Sequence, residues 1–120
     1  MSAYSTDDIG IDFEQEGVGR TRKTEVGGMV VAFERWEPGL DAAEMFKDLP
    51  DGACWEQHWG FVLKGSGTIR YTDGSEETIS EGQAYYMKPG HIPKVEEEGP
   101  LELLEFTPAD QSPEQKPEGV

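Results

Sequence analysis

The sequence predicts an all-β fold, an antiparallel sandwich or small barrel, and three observations support this. Short segments rich in β-branched and aromatic residues recur along the middle of the chain, as β-strands require. Turn signals separate these segments about every ten residues, which is typical of sandwiches and barrels. The 15 glycines and 8 prolines among the 120 residues supply the turns. This length fits one domain with a single core.

The N-terminal third of the chain is expected to contain an arm, a strand and a helical turn. Residues 1–24 are polar and charged with little alternation, so we expect a polar arm with one edge strand around residues 9–13. The first strand of the barrel is expected at 29–36, because Pro38-Gly39 follows it. One short helical turn is expected at 42–49, where apolar residues recur at helical spacing.

The rest of the chain is expected to hold further strands and a tail. Asp73-Gly74 is a strong hairpin signal between two of these strands. Residues 108–120 contain three prolines and almost no apolar side chain, so we expect a disordered tail that cannot offset its ordering entropy. The predicted division is therefore an arm at 1–24, a barrel at 25–107 and a tail at 108–120. The remaining strands are expected at 53–64, 68–72, 77–79, 83–88, 93–97 and 101–107.

The chain is strongly acidic, with 25 Asp and Glu against 10 Lys and Arg and a net charge of −15. This balance argues against general binding to nucleic acid or to an anionic membrane, since both require clustered cations. Two interpretations of the acidity stay open. One is a solvated surface that keeps the protein soluble, and the other is adaptation to high salt, where self-repulsion is screened.

Cysteine usage and the chain's start predict a cytoplasmic location. Cys54 is the single cysteine, so no intrachain disulfide can form. The N-terminus has neither the basic region nor the apolar run of a secretory signal. The apolar runs are too short to span a membrane.

Two central stretches carry glycines at defined spacing. The stretch 58–67 contains Gly65, and the stretch 82–93 contains Gly82 and Gly90. Both stretches resemble the two motifs of the cupin superfamily, and the resemblance covers residues 29–107. It implies a double-stranded β-helix, or jelly-roll cupin barrel, with one short helical turn. It also implies a homodimer, since small cupins commonly cover exposed edge strands in this way; the N-terminal arm could add a strand to a neighbour's sheet.

The resemblance places the family's metal ligands where this chain departs from the pattern. His58 stands in place of the family's acidic ligand. The histidine of the second motif falls on Pro93, which cannot bind a metal. The paired histidines of the first motif are missing, and the second of them falls on Ala53 or Cys54. The usual site of three histidines and one glutamate is therefore absent.

Strand parity nevertheless predicts a rearranged site, because alternate side chains of a strand share a face. His91 shares a face with Pro93, and Cys54 and Glu56 share one with His58. We therefore expect Cys54, Glu56, His58 and His91 to face one cavity, in which the two histidines with Cys54 or Glu56 would hold one divalent transition metal. A thiolate favours zinc, whereas a second carboxylate would suit iron or manganese.

Other residues are expected around this site. Gly60 and Pro93 should line the pocket together with Tyr85 and Tyr86, of which one ring points inward. Glu105 is a candidate partner behind the metal ligands, although the strand around it does not alternate cleanly.

Three functions stay open at this point. The first is a cupin-domain protein that binds a metal ion, a small molecule or both inside the barrel, with no assigned reaction. The second is a metal-dependent dioxygenase, isomerase or hydrolase acting on a small metabolite. The third is a structural or interaction barrel with a filled cavity, in which both histidines only hydrogen-bond backbone or water. Serine hydrolases and P-loop proteins are not favoured, because Gly-x-Ser-x-Gly and Gly-Lys-Ser/Thr are absent.

Overall fold

A computed structural model describes residues 3–117, and within this range nine antiparallel strands form two sheets. The larger sheet has the order β1-β2-β3-β9-β4-β7 and the smaller one the order β6-β5-β8. One helix, α1, and two 3₁₀ turns at Thr6–Asp8 and Pro50–Gly52 complete the elements. The bounds are β1 Ile11–Gln15, β2 Gly19–Val26, β3 Met29–Trp36, α1 Ala42–Met45, β4 His58–Lys64, β5 Ser66–Tyr71, β6 Glu76–Ser80, β7 Ala84–Met87, β8 His91–Val95 and β9 Leu101–Pro108.

The predicted all-β fold is confirmed, and the expected strands from β3 onward are present. The strand expected at 53–64 begins only at His58, whereas the other bounds shift by at most two residues. The helical turn expected at 42–49 is shorter, since α1 ends at Met45. Asp41 caps its start by accepting a hydrogen bond from the Ala43 backbone N–H at 2.9 Å. Pro50 disfavours helical geometry at Leu49, so the segment between the end of α1 and Pro50 forms turns instead.

The segment 1–24 does not form an arm outside the barrel over its described part. β1 pairs with β2, and β2 pairs with β3 over its full length from Gly19 opposite Trp36 to Val26 opposite Met29. Gly27 and Gly28 both have positive φ and connect β2 to β3 as a two-residue hairpin. Both strands are therefore part of the larger sheet, and the expected edge strand lies at 11–15. Residues 1–2 lie outside the described residues.

The expected tail also differs from the structure over its described part. Pro108 ends β9, and the chain then runs beside the segment that leads into β4. The Trp55 backbone N–H donates to the Pro113 carbonyl at 3.0 Å, and the Gln111 side chain hydrogen-bonds Gln57. Hydrogen bonds place this segment without apolar burial, which is why its composition did not predict order. Residues 118–120 lie outside the described residues.

The apolar core lies between the two sheets. Val62, Ile69 and Leu101 are among its most deeply buried members. Other core residues, such as Met87 and Leu103, also line a cavity inside the barrel. The core therefore forms part of the wall of the candidate site. In the described residues, no helix has the length and apolar character needed to cross a membrane.

Candidate metal centre

The backbone brings Cys54, His58 and His91 together from three places in the chain. Cys54 and His91 form an isolated antiparallel bridge, in which each backbone N–H donates to the other's carbonyl at 3.1 and 3.2 Å. His58 follows at the start of β4. One potential ligand atom from each of the three residues lies within 4.8 Å of the other two, and all three residues are buried. The structure thus brings together the single cysteine and both histidines of this chain.

The geometry suits a tetrahedral ion. Zinc binds sulfur at about 2.3 Å and imidazole nitrogen at about 2.0–2.1 Å, which places neighbouring donors roughly 3.3–3.8 Å apart. Cys54 Sγ lies 3.9 Å from His58 Nε2. The His58 and His91 rings are edge-on, with centroids 4.9 Å apart. Small side-chain movements would bring the three donors onto one ion.

Hydrogen bonds from behind orient both imidazoles. His91 Nδ1 lies 2.9 Å from the Lys88 carbonyl, which can only accept, so this nitrogen carries the proton. His58 Nδ1 lies 2.6 Å from Thr107 Oγ1, because His58 and Thr107 are adjacent on the paired strands β4 and β9. In each ring the Nε2 remains for a metal, which is the arrangement seen behind most metal-binding histidines.

The protonation states also suit metal binding. Burial lowers the pKa of His58 and His91 to about 4, so both rings are neutral at pH 7 and can donate a lone pair. Burial raises the pKa of the Cys54 thiol to about 12, so an arriving metal ion must displace its proton. Metal binding at this site would therefore release a proton.

Two carboxyl groups, those of the buried Glu105 and the half-buried Glu34, lie next to these three residues. Glu105 is 6% exposed, accepts a hydrogen bond from Tyr85 Oη at 2.6 Å, and lies 3.6 Å from His58 Nδ1. Its carboxyl also contacts that of Glu34 on β3. Burial, followed by the charge of Glu105, raises the pKa of Glu34 to about 8, and burial raises the pKa of Glu105 as well. Glu34 is therefore mostly protonated at neutral pH and hydrogen-bonds the Glu105 carboxyl.

Sequence reasoning missed two residues of the site, Thr107 and Glu34. Glu34 lies two residues after the buried Ala32, so the two side chains share the inner face of β3. A glutamate at a core-facing position of a strand is a signal that could have identified it. Glu56 lines the cavity as predicted from parity; it is half-buried, with Oε1 3.8 Å from Cys54 Sγ.

The residues expected to line the pocket fall into two groups. Pro93 lines the cavity beside His91. Tyr85 points inward but fills space beside Gly60, where a Cβ would overlap the Tyr85 phenol. Tyr86 is 43% exposed on the outer face and packs against Trp59. Gly60 thus makes room for the Tyr85–Glu105 hydrogen bond, and neither Gly60 nor the two tyrosines line the cavity.

The three residues open onto a cavity of about 440 Å³. Pockets for small molecules have volumes of roughly 300–1,000 Å³. The cavity is open on one side, and both sheets contribute to its walls. A barrel with a filled interior, the third function considered above, would have no such space.

No protein-family model matches the sequence, and no curated protein matches it. Solved structures do match. The polyketide cyclase RemF from Streptomyces resistomycificus has a TM-score of 0.67 at 18% identity, covering 100% of this chain and 87% of its own. A protein with a double-stranded β-helix domain from Klebsiella pneumoniae has a TM-score of 0.62 at 15% identity, covering 98% and 94%. Lactobacillus farciminis oxalate decarboxylase in a formate complex has a TM-score of 0.63 at 20% identity and covers 91% of this chain, which spans 33% of that enzyme.

These neighbours are cupin-fold proteins, and the chain has the cupin fold, a double-stranded β-helix. At under 25% identity the likeness shows the fold alone. Within that fold, the particular feature of this chain is a candidate metal centre of one thiol and two imidazoles.

Proposed function

We propose that the protein binds one divalent transition metal through Cys54, His58 and His91 and presents it to a small molecule in the cavity. The observation that carries the proposal is the convergence of these three buried donors within 4.8 Å. One thiolate and two imidazoles favour zinc over iron or manganese, which prefer more oxygen ligands. Three protein ligands leave a fourth position for a water molecule or a substrate, as in catalytic zinc sites.

A metal-dependent enzyme is the second candidate, and the buried carboxyl groups favour it. A bound ion would supply Lewis acidity toward an oxygen of the substrate. Glu56 lies beside Cys54, and the Glu34–Glu105 pair lies behind His58, so carboxyl groups that can hold or accept a proton surround the site. Dioxygenase, isomerase and hydrolase chemistry all remain in this second candidate.

Elemental analysis tests the metal proposal. We expect untagged protein loaded with zinc and dialysed to retain about one equivalent, and His58→Ala and Cys54→Ala to retain less than about a tenth. Val95→Ala is the control, because it truncates another buried residue of the same cavity but removes no donor atom. Metal content below about a tenth of an equivalent in the wild type, or full retention in both variants, would contradict the proposal.

We also propose that the chain forms a homodimer through the outer face of the larger sheet. Trp59, Phe61, Leu63 and Tyr86 each expose 41–43% of their surface there. The apolar surface continues across β9 and β3 through Leu104, Phe106, Val31 and Phe33, which are adjacent in the strand register. A fully exposed aromatic side chain presents about 150–250 Å². At 41–43% exposure, these four side chains together present an area on the order of 300 Å². Together with the neighbouring apolar residues, this exposed area is comparable to the apolar centre of a dimer interface.

A second copy is the occupant that fits this face. A flat sheet face can pair with itself about a two-fold axis, because each copy presents the same apolar residues. Light scattering should give a dimer mass for the wild type and a monomer mass for Phe61→Lys. Met45→Lys, at a residue that is 42% exposed but lies on α1, should remain dimeric. A monomeric wild type at high concentration would overturn the dimer proposal.

We also propose that the protein is cytoplasmic, a compartment in which Cys54 stays reduced.

A further inference from the structure

The chain after β9 lies along one edge of the stretch that carries the candidate metal ligands. Gln57 lies between Glu56 and His58, and the Gln111 side chain bonds its backbone at two points. Gln111 Oε1 accepts from the Gln57 N–H at 3.1 Å, and Gln111 Nε2 donates to the Gln57 carbonyl at 3.2 Å. A side-chain amide that pairs with both backbone groups of one residue takes the place of a partner strand at this edge.

These backbone contacts follow the alternation of a strand. Alternate residues of a strand direct their backbone groups to the same edge, so Trp55 and Gln57 share one edge. The Trp55 N–H donates to the Pro113 carbonyl at 3.0 Å. Cys54 bonds at the opposite edge, where its N–H donates to the His91 carbonyl at 3.1 Å. The stretch with the candidate ligands therefore lies between β8 on one side and the chain after β9 on the other.

The chain after β9 is also attached on either side of these contacts. We call residues 109–117 the strap. At its start the Ala109 N–H donates to the Gly28 carbonyl of the β2–β3 hairpin at 3.0 Å. Near its end Lys116 pairs with Asp51 in the second 3₁₀ turn. The strap thus runs from the larger sheet across the start of β4 to that turn.

The strap forms part of the cavity wall without belonging to the core. Pro113 lines the cavity together with Cys54, Glu56 and Thr107. None of residues 109–117 is buried. When such a segment leaves, its hydrogen bonds exchange for bonds to water, so its opening costs much less free energy than opening of the core. The strap can therefore open while the barrel stays folded.

We propose that the strap closes the end of the cavity where Cys54 and Glu56 lie, and that it opens as one unit. Its opening then sets the rate at which ions and small reagents reach the Cys54 thiol, which is 5% exposed with the strap in place. Passage of an ion to this site rests on the proposed function, whereas access of a small reagent to the thiol does not.

Alkylation of the thiol tests this access. Cys54 is the single cysteine, so iodoacetamide labels one position, and mass spectrometry of metal-free protein gives the rate. Gln111→Ala removes both bonds to the Gln57 backbone, so we expect labelling to be at least about fivefold faster. Gln83→Ala is the control and should leave the rate unchanged, because Gln83 Oε1 accepts from the Ser80 N–H at 2.8 Å in a turn outside the cavity. Equal acceleration in both variants, or none in Gln111→Ala, overturns the inference.

Amide hydrogen exchange of the wild type tests whether the opening is local. The Trp55 and Gln57 N–H groups both bond the strap, so we expect them to exchange at similar rates after correction for intrinsic rates. The Val62 N–H bonds the Gln83 carbonyl inside the barrel and should exchange at least about a hundredfold more slowly. Exchange of Trp55 and Gln57 as slow as that of Val62 would mean that the strap leaves only on global unfolding, and would overturn the inference.

Zinc release tests the passage of an ion separately. Transfer of zinc from loaded protein to an excess of chelator should be at least about fivefold faster from Gln111→Ala than from the wild type and from Gln83→Ala. Equal release rates would overturn control of the ion by the strap. Wild-type protein that retains no zinc would overturn the proposed function instead, and alkylation and exchange would then still decide whether the strap opens.

Discussion

Thr107 acts on the candidate site through His58. Its hydroxyl lies 2.6 Å from His58 Nδ1 and fixes the ring, while the opposite nitrogen lies 3.9 Å from Cys54 Sγ. A partner behind a ligand of this kind typically contributes about 10–100-fold to metal affinity. We therefore classify Thr107 as a positioning residue.

The first prediction concerns this hydroxyl. Thr107→Val keeps the side-chain shape but leaves His58 Nδ1 without its partner, so we expect zinc affinity to fall by about 10–100-fold in a competition titration with a chelator. Thr68→Val is the control, since the Thr68 hydroxyl bonds Glu96 away from the site. An equal loss of affinity in both variants would mean that Thr107 matters only for general stability.

At the same scale, strand parity predicted that Cys54, Glu56, His58 and His91 face one cavity. The structure brings ligand atoms of all but Glu56 within 4.8 Å of one another and places Glu56 in the lining of the cavity. Cys54, His58 and His91 could be predicted because the glycine framework fixed the register of their strands. Glu34 could not be predicted in the same way, because acidic residues are common along this chain and burial is a tertiary property. The Glu105 side chain points inward and accepts a hydrogen bond from Tyr85. Gly60 makes this possible, because a side chain at that position would occupy the space of the Tyr85 phenol.

Among the elements, α1 depends on Asp41 for both its start and its attachment to the sheet. The Asp41 carboxylate accepts from the Ala43 N–H and also pairs with Arg70 of β5. The hydrogen bond from Arg70 holds the pKa of Asp41 below its ordinary value of 3.8. The pair therefore stabilises the fold at neutral pH, and this contribution is lost as the pH falls through the lowered pKa.

The second prediction tests this pH dependence. Asp41→Asn retains a cap but loses the charge, so we expect a loss of free energy of unfolding of up to about 1 kcal/mol at pH 7. That loss should shrink as the pH falls below 3.8, because the wild-type carboxylate then becomes protonated as well. Urea unfolding at pH 7 and at pH 3 measures it, with the exposed Asp48→Asn as the control. A difference that grows toward low pH would contradict the assignment.

One physical cause explains why the sequence did not predict β2. β2 places Thr21 and Lys23 on its inner face, toward the polar end of the cavity, so the strand lacks the apolar alternation that marks a core strand. β3 and β9 are instead rich in β-branched, aromatic and other apolar residues and were predicted closely. A strand that lines a polar cavity is thus harder to recognise than one that lines the core.

For the molecule as a whole, most of the net charge of −15 comes from acidic residues that are exposed or half-buried. Self-repulsion at this charge destabilises a compact state and is screened by salt. The third prediction is that the melting temperature rises between low salt and about 1 M KCl. A variant with Glu96, Glu97 and Glu98 changed to Gln should gain less. An unchanged melting temperature in the wild type would leave solubility as the role of the acidity.

The bridge between Cys54 and His91 joins positions more than thirty residues apart in the chain. An ion held by both side chains would close that stretch into a loop in the folded protein only, because folding assembles the ligands. The intervening stretch contains β4, β5, β6 and β7, which come from both sheets. Binding of the ion would therefore add to the free energy of unfolding of a chain that has no disulfide, and a chelator would remove that contribution.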